Sequence, residues 1–193
     1  HNAIWNSKKG AAFGFSSIAE KCGEHLQPHL PKIIPKLYRY QFDPTPGIQL
    51  SMQNIWHALV QDTQKTLEQY HDEILADLIE NLTSPQYRVR QSCCFALQDF
   101  FTSAVNSSIH DAIDRLEELW KKLFRVMDDH HESTRMSAIK TTKILSKLCV
   151  RASNASQGKC GVKMVQTILP VLLDEITSAV SEVRVLCLQT LSE

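Results

Sequence analysis

The stretch Ser84-Pro85-Gln86-Tyr87-Arg88-Val89-Arg90-Gln91-Ser92-Cys93-Cys94 runs from a polar, proline-bearing turn into an apolar helix, with Val-Arg at the junction. The pattern recurs. With Arg90 as register mark, the same slot holds Lys9, Gln49, Arg135 and Arg184, so that successive marks lie 40, 41, 45 and 49 residues apart. Periods of that size belong to arrays whose repeating unit is a pair of helices.

Positions ahead of the marks test the register. Sixteen residues upstream of the last four marks lie Ile33, Ile74, Leu119 and Ile168, and fifteen upstream lie Ile34, Leu75, Trp120 and Leu169. Twelve upstream come Leu37, Leu78, Leu123 and Leu172; eleven upstream, Tyr38, Ile79, Phe124 and Leu173. All are apolar or aromatic, and offsets of i, i+1, i+4 and i+5 trace one stripe of an α-helix. Three residues after the five marks sit Ala12, Met52, Cys93, Ala138 and Cys187, side chains compact or flexible enough to let helices approach. The expected fold is all-α, an α-α superhelix of about four helix pairs with truncated ends.

The 193 residues then read as one continuous array: a partial repeat over 1–24, repeats over 25–62, 66–103 and 108–152, and a truncated one over 160–193. With no initiator Met, and with its last residues inside the helix containing Leu191, the chain reads as a fragment. The first partial repeat should supply a helix from Trp5 to Gly23, with Gly10 and Gly14 four apart. Pro35 and Pro170 occupy equivalent places in two first helices and should bend them. Asp43-Pro44-Thr45-Pro46-Gly47 is a turn, followed by a helix over 47–61. The remaining expected pairs are 66–82 with 87–102, 109–127 with 133–150, and 162–176 with a helix from about Ser181. The polar run Arg151–Lys159 should be an exposed loop.

Charge is balanced, with 21 basic and 21 acidic residues, which gives no general attraction to nucleic acid or anionic membrane. No apolar run approaches the ~20 residues of a membrane span, and the opening residues do not read as a signal peptide. Six cysteines follow no C-x-x-C spacing, and Cys93, Cys149 and Cys187 fall on apolar helix faces. They read as reduced thiols of an intracellular protein, so the N-x-S/T matches at Asn81, Asn106 and Asn154 are read as accidental.

Asp128-Asp129-His130-His131 has the composition of a ligand cluster, but consecutive side chains on a turn diverge where a metal needs convergence. Asp129 also occupies the slot six residues ahead of Arg135, where the repeat itself accounts for an acid. Cys93-Cys94 lies in a packed helix, where a structural thiol is the commoner case. No G-x-S-x-G, P-loop, G-x-G-x-x-G or H-E-x-x-H occurs. The expectation is a protein that is not an enzyme and uses no metal or cofactor. Lys32, Lys36 and Arg39, interleaved with Tyr38 and Tyr40, form a basic-aromatic patch, expected to be a solvated face or a protein-contact surface suited to an acidic partner rather than nucleic acid.

The acid slot reads Asp43, Ser84, Asp129 and Ser178, and the basic slot six residues on reads Gln49, Arg90, Arg135 and Arg184. In this the chain resembles the HEAT-repeat family. The resemblance implies an Asp–Arg ladder between neighbouring repeats through Asp43, Arg90, Asp129, Arg135 and Arg184, interrupted where Ser replaces Asp and where Gln49 replaces Arg. Trp5-Asn6-Ser7-Lys8-Lys9-Gly10-Ala11-Ala12-Phe13-Gly14-Phe15, Pro35-Lys36-Leu37-Tyr38-Arg39-Tyr40-Gln41-Phe42-Asp43-Pro44 and Leu123-Phe124-Arg125-Val126-Met127-Asp128-Asp129 further resemble the large proteasome-associated adaptor and scaffold proteins. That resemblance implies proteasome subunits of the core and regulatory particles as partners, together with other proteins. It implies tethering of the two particles, and a place in cytoplasm and nucleus, with peripheral positions at endoplasmic reticulum and endosomes. The alternative is a HEAT module of a transport receptor or phosphatase regulator.

Overall fold

The computed structural model describes residues 23–103, 108–155 and 159–193, and among them there are helices and turns but no strand. The chain divides into two compact units, with the division after Leu78. The expected helix from Trp5 falls almost wholly outside the described residues.

In the first unit a short helix α1 (Gly23–Leu26) and a 3-10 turn (Gln27–His29) lead into α2 (Leu30–Tyr40). The helix α3 spans Pro46–Leu59, α4 Thr63–Gln69 and α5 His71–Asn81, the last running through the division. Pro46 stands at the start of α3, where a missing N–H leaves no hydrogen bond unmade. Asp62 caps α4 by accepting the Lys65 N–H at 3.1 Å. Ile34, Leu37 and Tyr38 of α2 are buried, as are Ile48, Ile55 and Trp56 of α3 and Ile74, Leu75 and Leu78 of α5. The Tyr38 ring lies 5.4 Å edge-on from Phe42 and 5.5 Å from Trp56. The Trp56 indole N–H donates to the Thr63 hydroxyl at 3.2 Å, which satisfies the polar end of an otherwise apolar side chain.

The second unit contains α6 (Tyr87–Ser103), α7 (Ser108–Asp111), α8 (Ile113–Val126), α9 (Glu132–Ala155), α10 (Lys159–Glu175) and α11 (Ser181–Ser192). Here α6 packs on α9, α8 on α9 and α10, and α11 on α9 and α10. Leu97 and Phe100 of α6, Leu116, Leu119, Trp120 and Leu123 of α8, and Leu145 and Cys149 of α9 are fully buried. Second helices of successive pairs also meet through polar groups. The Thr141 hydroxyl lies 3.0 Å from the Cys94 carbonyl and 2.8 Å from that of Ser137, and accepts from the Gln98 amide at 3.0 Å. Ser146 and Thr190 share a buried hydrogen bond of 2.7 Å. Burial of the Thr141, Ser146 and Thr190 hydroxyls is tolerable because each has a partner.

Several boundaries differ from expectation. The helix expected over 66–82 is two, because Asp62 starts a helix at Thr63 and Tyr70, at φ −112° and ψ 26°, leaves the helical region. That expected over 109–127 breaks at Ala112, which is buried. The expected loop from Arg151 is helical through Ala155: Ala152 is buried and the Ser153 hydroxyl donates to the Cys149 carbonyl at 2.8 Å. Polar composition alone had suggested a loop, but no glycine intervenes before Gly158. Of the apolar stripe, Leu169 and Leu173 are exposed at 38% and 48%, because no described helix covers that side of α10. Both α2 and α10 continue through their prolines.

Candidate functional site

The turns between paired helices share one construction. Asp43 Oδ1 accepts the Thr45 N–H at 2.8 Å and Asp129 Oδ1 the His131 N–H at 2.9 Å. Ser84 Oγ accepts from Gln86 at 3.3 Å and Ser178 Oγ from Val180 at 3.4 Å. A side-chain oxygen taking the N–H two residues on holds the turn, and a hydroxyl does it more weakly than a carboxylate. Asp and Ser therefore alternate in the slot without changing its local role.

The marked arginines reach back over the same turns. Arg90 donates to the Ser84 carbonyl at 2.7 Å, Arg135 to that of Asp129 at 2.7 Å and Arg184 to that of Ser178 at 2.6 Å. Each spans six residues and satisfies a carbonyl that the ending first helix leaves unpaired. Arg90 alone also reaches a carboxylate in the next repeat: its Nε lies 2.5 Å from Asp129 Oδ2, with side chains only 17% and 4% exposed. Burial pushes the Asp129 carboxyl upward, but the Arg90 hydrogen bond and the His131 N–H outweigh it and hold the group below its usual range. Tyr87 stacks on His131 at 3.9 Å beside this pair.

Of the expected ladder residues, Arg90 and Asp129 come together. Asp43 is engaged by Thr45, while Arg135 and Arg184 make backbone contacts in their own turns. Lys32 and Lys36 are exposed as expected. Arg39 is not a surface residue: it is 4% exposed, its Nε lies 2.7 Å from Asp77 Oδ2, and its guanidinium sits 4.7 Å from the Tyr40 ring centre. Flanking the buried Tyr38, it is drawn inward by an acid on the following first helix. Opposite charges about one repeat apart were the available signal for this pair, and for Lys163 with Asp114 at 2.7 Å.

The thiols at Cys94, Cys149 and Cys187 are free, and they and Cys93 are buried. Burial raises Cys94 and Cys149 to about 12 and Cys187 to about 11, the reverse of nucleophile activation. In the Asp128–His131 cluster, Asp129 turns to Arg90 and the His131 ring to Tyr87, so the two side chains serve separate contacts. What the arrangement provides within each unit is helix pairs held by their turns, with solvent-facing side chains along them.

Comparison with known proteins agrees with that reading. A karyopherin, Kap121p bound to the extreme C-terminus of the protein phosphatase Cdc14p, shares the fold at a TM-score of 0.51 and 23% identity, over 96% of this chain and 17% of that one. The chain is 48% identical over 192 residues to the "Proteasome adapter and scaffold protein ECM29" of Homo sapiens, covering 99% of this chain and 10% of that protein. It is 42% identical to the "Proteasome-associated protein ECM29 homolog" of Drosophila melanogaster, over 100% of this chain and 11% of that protein. The chain thus spans about a tenth of the length of these curated relatives. The family model described as "Stalled ribosome sensor GCN1-like, HEAT repeats" matches residues 9–190. With its paired helices, turn-holding Asp or Ser and returning arginines, the chain belongs to this family of HEAT repeats.

Proposed function

We propose that the chain is a non-enzymatic segment of a proteasome-binding adaptor and scaffold. The observation that carries this is 48% identity along 99% of the chain to the human proteasome adapter and scaffold protein. In this reading residues 1–193 form one continuous array within a longer solenoid. The whole protein holds core and regulatory particles together and couples proteasomes to endoplasmic reticulum, endosomes and other parts of the cell. Buried, deactivated thiols and carboxylates engaged in structural pairs support a role without catalysis. Lys32 and Lys36 offer protein contacts, and many modest contacts spread over several repeats would carry the association.

Co-sedimentation of the intact protein with assembled 26S proteasomes tests the reading. Association is expected, and single substitutions at Lys32 or Lys36 should barely change it. Deleting residues 26–60 should weaken it far more, because removing a helix pair alters the rotation between its neighbours. No association by the intact protein would overturn the proposal.

A further inference from the structure

One face of α9 is unlike the other charged surfaces of the second unit. Met136, Lys140, Lys143, Lys147 and Arg151 are all exposed and recur at spacings of four, three, four and four, so they stand in one row. From Lys140 to Arg151 the row runs about 16 Å at the α-helical rise. Three lysines of α8 and α10 are matched: Lys121 with Glu117 at 2.6 Å, Lys122 with Glu118 at 2.8 Å, Lys163 with Asp114 at 2.7 Å. None of the four cations on α9 makes an ion pair among the described residues. Like charges three and four apart weaken a helix, and the helix dipole does not offset this, since the last turn of α9 contains no basic residue. The row therefore costs stability that nothing described within the chain restores.

Beside it lies an apolar groove of about 270 Å³ between α9 and α11, lined by Met127, Ile139, Lys143, Val185 and Leu186. Val185 in that lining is exposed at 52%, and Met136, which heads the row on α9, at 59%. Its acid, Glu182, sits at the turn end, where after its own N–H and Ser181 the fields of Arg135 and Arg184 help hold the carboxyl low. Lys143 thus joins the cation row to the groove, whose α11 side sets Val185 and Leu186 among Ser181, Glu182 and Gln189.

We propose that this face is a docking site for an acidic amphipathic helix of a partner protein, its carboxylates along Lys140, Lys143, Lys147 and Arg151 and its apolar side chains over Met136 and Val185. Charge complementarity in a single row one helix wide favours this occupant. A polynucleotide would meet apolar groups on the neighbouring α11, where a phosphate track needs further cations. The inference goes beyond proteasome association and does not depend on it.

The test uses the intact protein and a fluorescein-labelled helical peptide of about 16 residues, with Glu at i, i+4 and i+7 and Leu on the adjoining face. Binding followed by anisotropy should weaken as salt rises. Replacing the four cations together by Glu should weaken it about tenfold or more, since several modest pairs are lost at once. Met136→Ser with Val185→Ser should weaken it several-fold and leave the salt dependence unchanged. A peptide with Lys in place of Glu should bind the charge-reversed protein and not the original, which guards against misfolding as the cause of loss. Peptide binding indifferent to charge reversal would overturn the proposal. So would tighter binding of single-stranded RNA or phosphatidylserine vesicles through the same four cations. Co-sedimentation with proteasomes, run on the same proteins, keeps the two readings apart: its absence from the original protein would remove the adaptor reading and leave the peptide result standing.

Discussion

The turn at Asp43 and the turn at Asp129 begin alike and end differently. In both, one carboxylate oxygen takes the N–H two residues on. At Asp129 the second oxygen receives Arg90, and the Asp129 carbonyl receives Arg135. After Asp43 the corresponding mark is Gln49, too short and uncharged for the same reach. The first unit instead joins successive first helices through Arg39 and Asp77, whose side chains are only 5% and 13% exposed. One repeat pattern thus supports two kinds of inter-repeat link: a buried ion pair between first helices, and an arginine clasp over the turns. The difference teaches that the turn slot is a local device, while the link between repeats depends on which long side chain can find a charge one period away.

The largest expected effect comes from breaking the buried pair of the first unit. Arg39→Ala removes a close cation from the Asp77 carboxylate, and losing one partner of a buried pair typically costs about 3–5 kcal/mol. Denaturant unfolding of the intact protein measures it. Loss under 1 kcal/mol, to borrow the usual ceiling for exposed pairs, would show that the site behaves as surface and would erase the contrast.

Arg90→Ala should cost less, roughly 1–3 kcal/mol: the Ser84 carbonyl and the Asp129 carboxylate lose a donor, but Asp129 keeps the His131 N–H. A double-mutant cycle with Asp129→Ala isolates the pair, and a coupling energy within error of zero would remove the ladder from the account. The same pair predicts a pH dependence. Asp129 is held below its ordinary value of 3.8, so its contribution is complete above that value and is lost as pH falls through the lower, folded-state value. Asp129→Asn should therefore lower stability by a constant amount from pH 7 to about 5, and the two proteins should converge in stronger acid. A gap that persists unchanged at pH 2 would mean that geometry, not charge, is what Asp129 supplies.

Much of this comparison was legible in the residues, for physical reasons that also mark the limit. Ile74, Leu75, Leu78 and Ile79 announce a buried stripe because apolar spacing in a helix is a local property. The Asp–Arg slot was legible because it recurs at a fixed offset. Arg39 was misjudged, since charge alone suggests exposure and only the opposing Asp77, 38 residues away, makes burial tolerable. The Thr141 contacts with Gln98 and Cys94 were missed for the same reason: no local rule tells a hydroxyl that packs between helices from one in water. The row on α9 was legible as spacing, but its lack of counter-charges became visible only when the neighbouring acids were seen paired elsewhere.

The smallest expected effect is a gain. Arg135 stands in its repeat as Arg90 does in the one before, and the slot ahead of it is Ser178, as Asp129 lies ahead of Arg90. Ser178 holds its turn through Val180 at 3.4 Å but offers Arg135 no carboxylate. Ser178→Asp should keep the turn contact, strengthen it, and present a second oxygen to Arg135, extending the clasp by one repeat. The neighbouring Glu182 already shares the fields of Arg135 and Arg184, so the new charge meets some repulsion and the site is more open than that of Asp129. The net gain should accordingly be about 0.5–1 kcal/mol, within the range of a partly exposed ion pair. Adding Glu182→Gln should enlarge it by relieving that repulsion, and adding Arg135→Ala should abolish it. Stabilisation that survives Arg135→Ala would show that Asp improves the turn alone, and would confine the clasp to the single place where Arg90 meets Asp129.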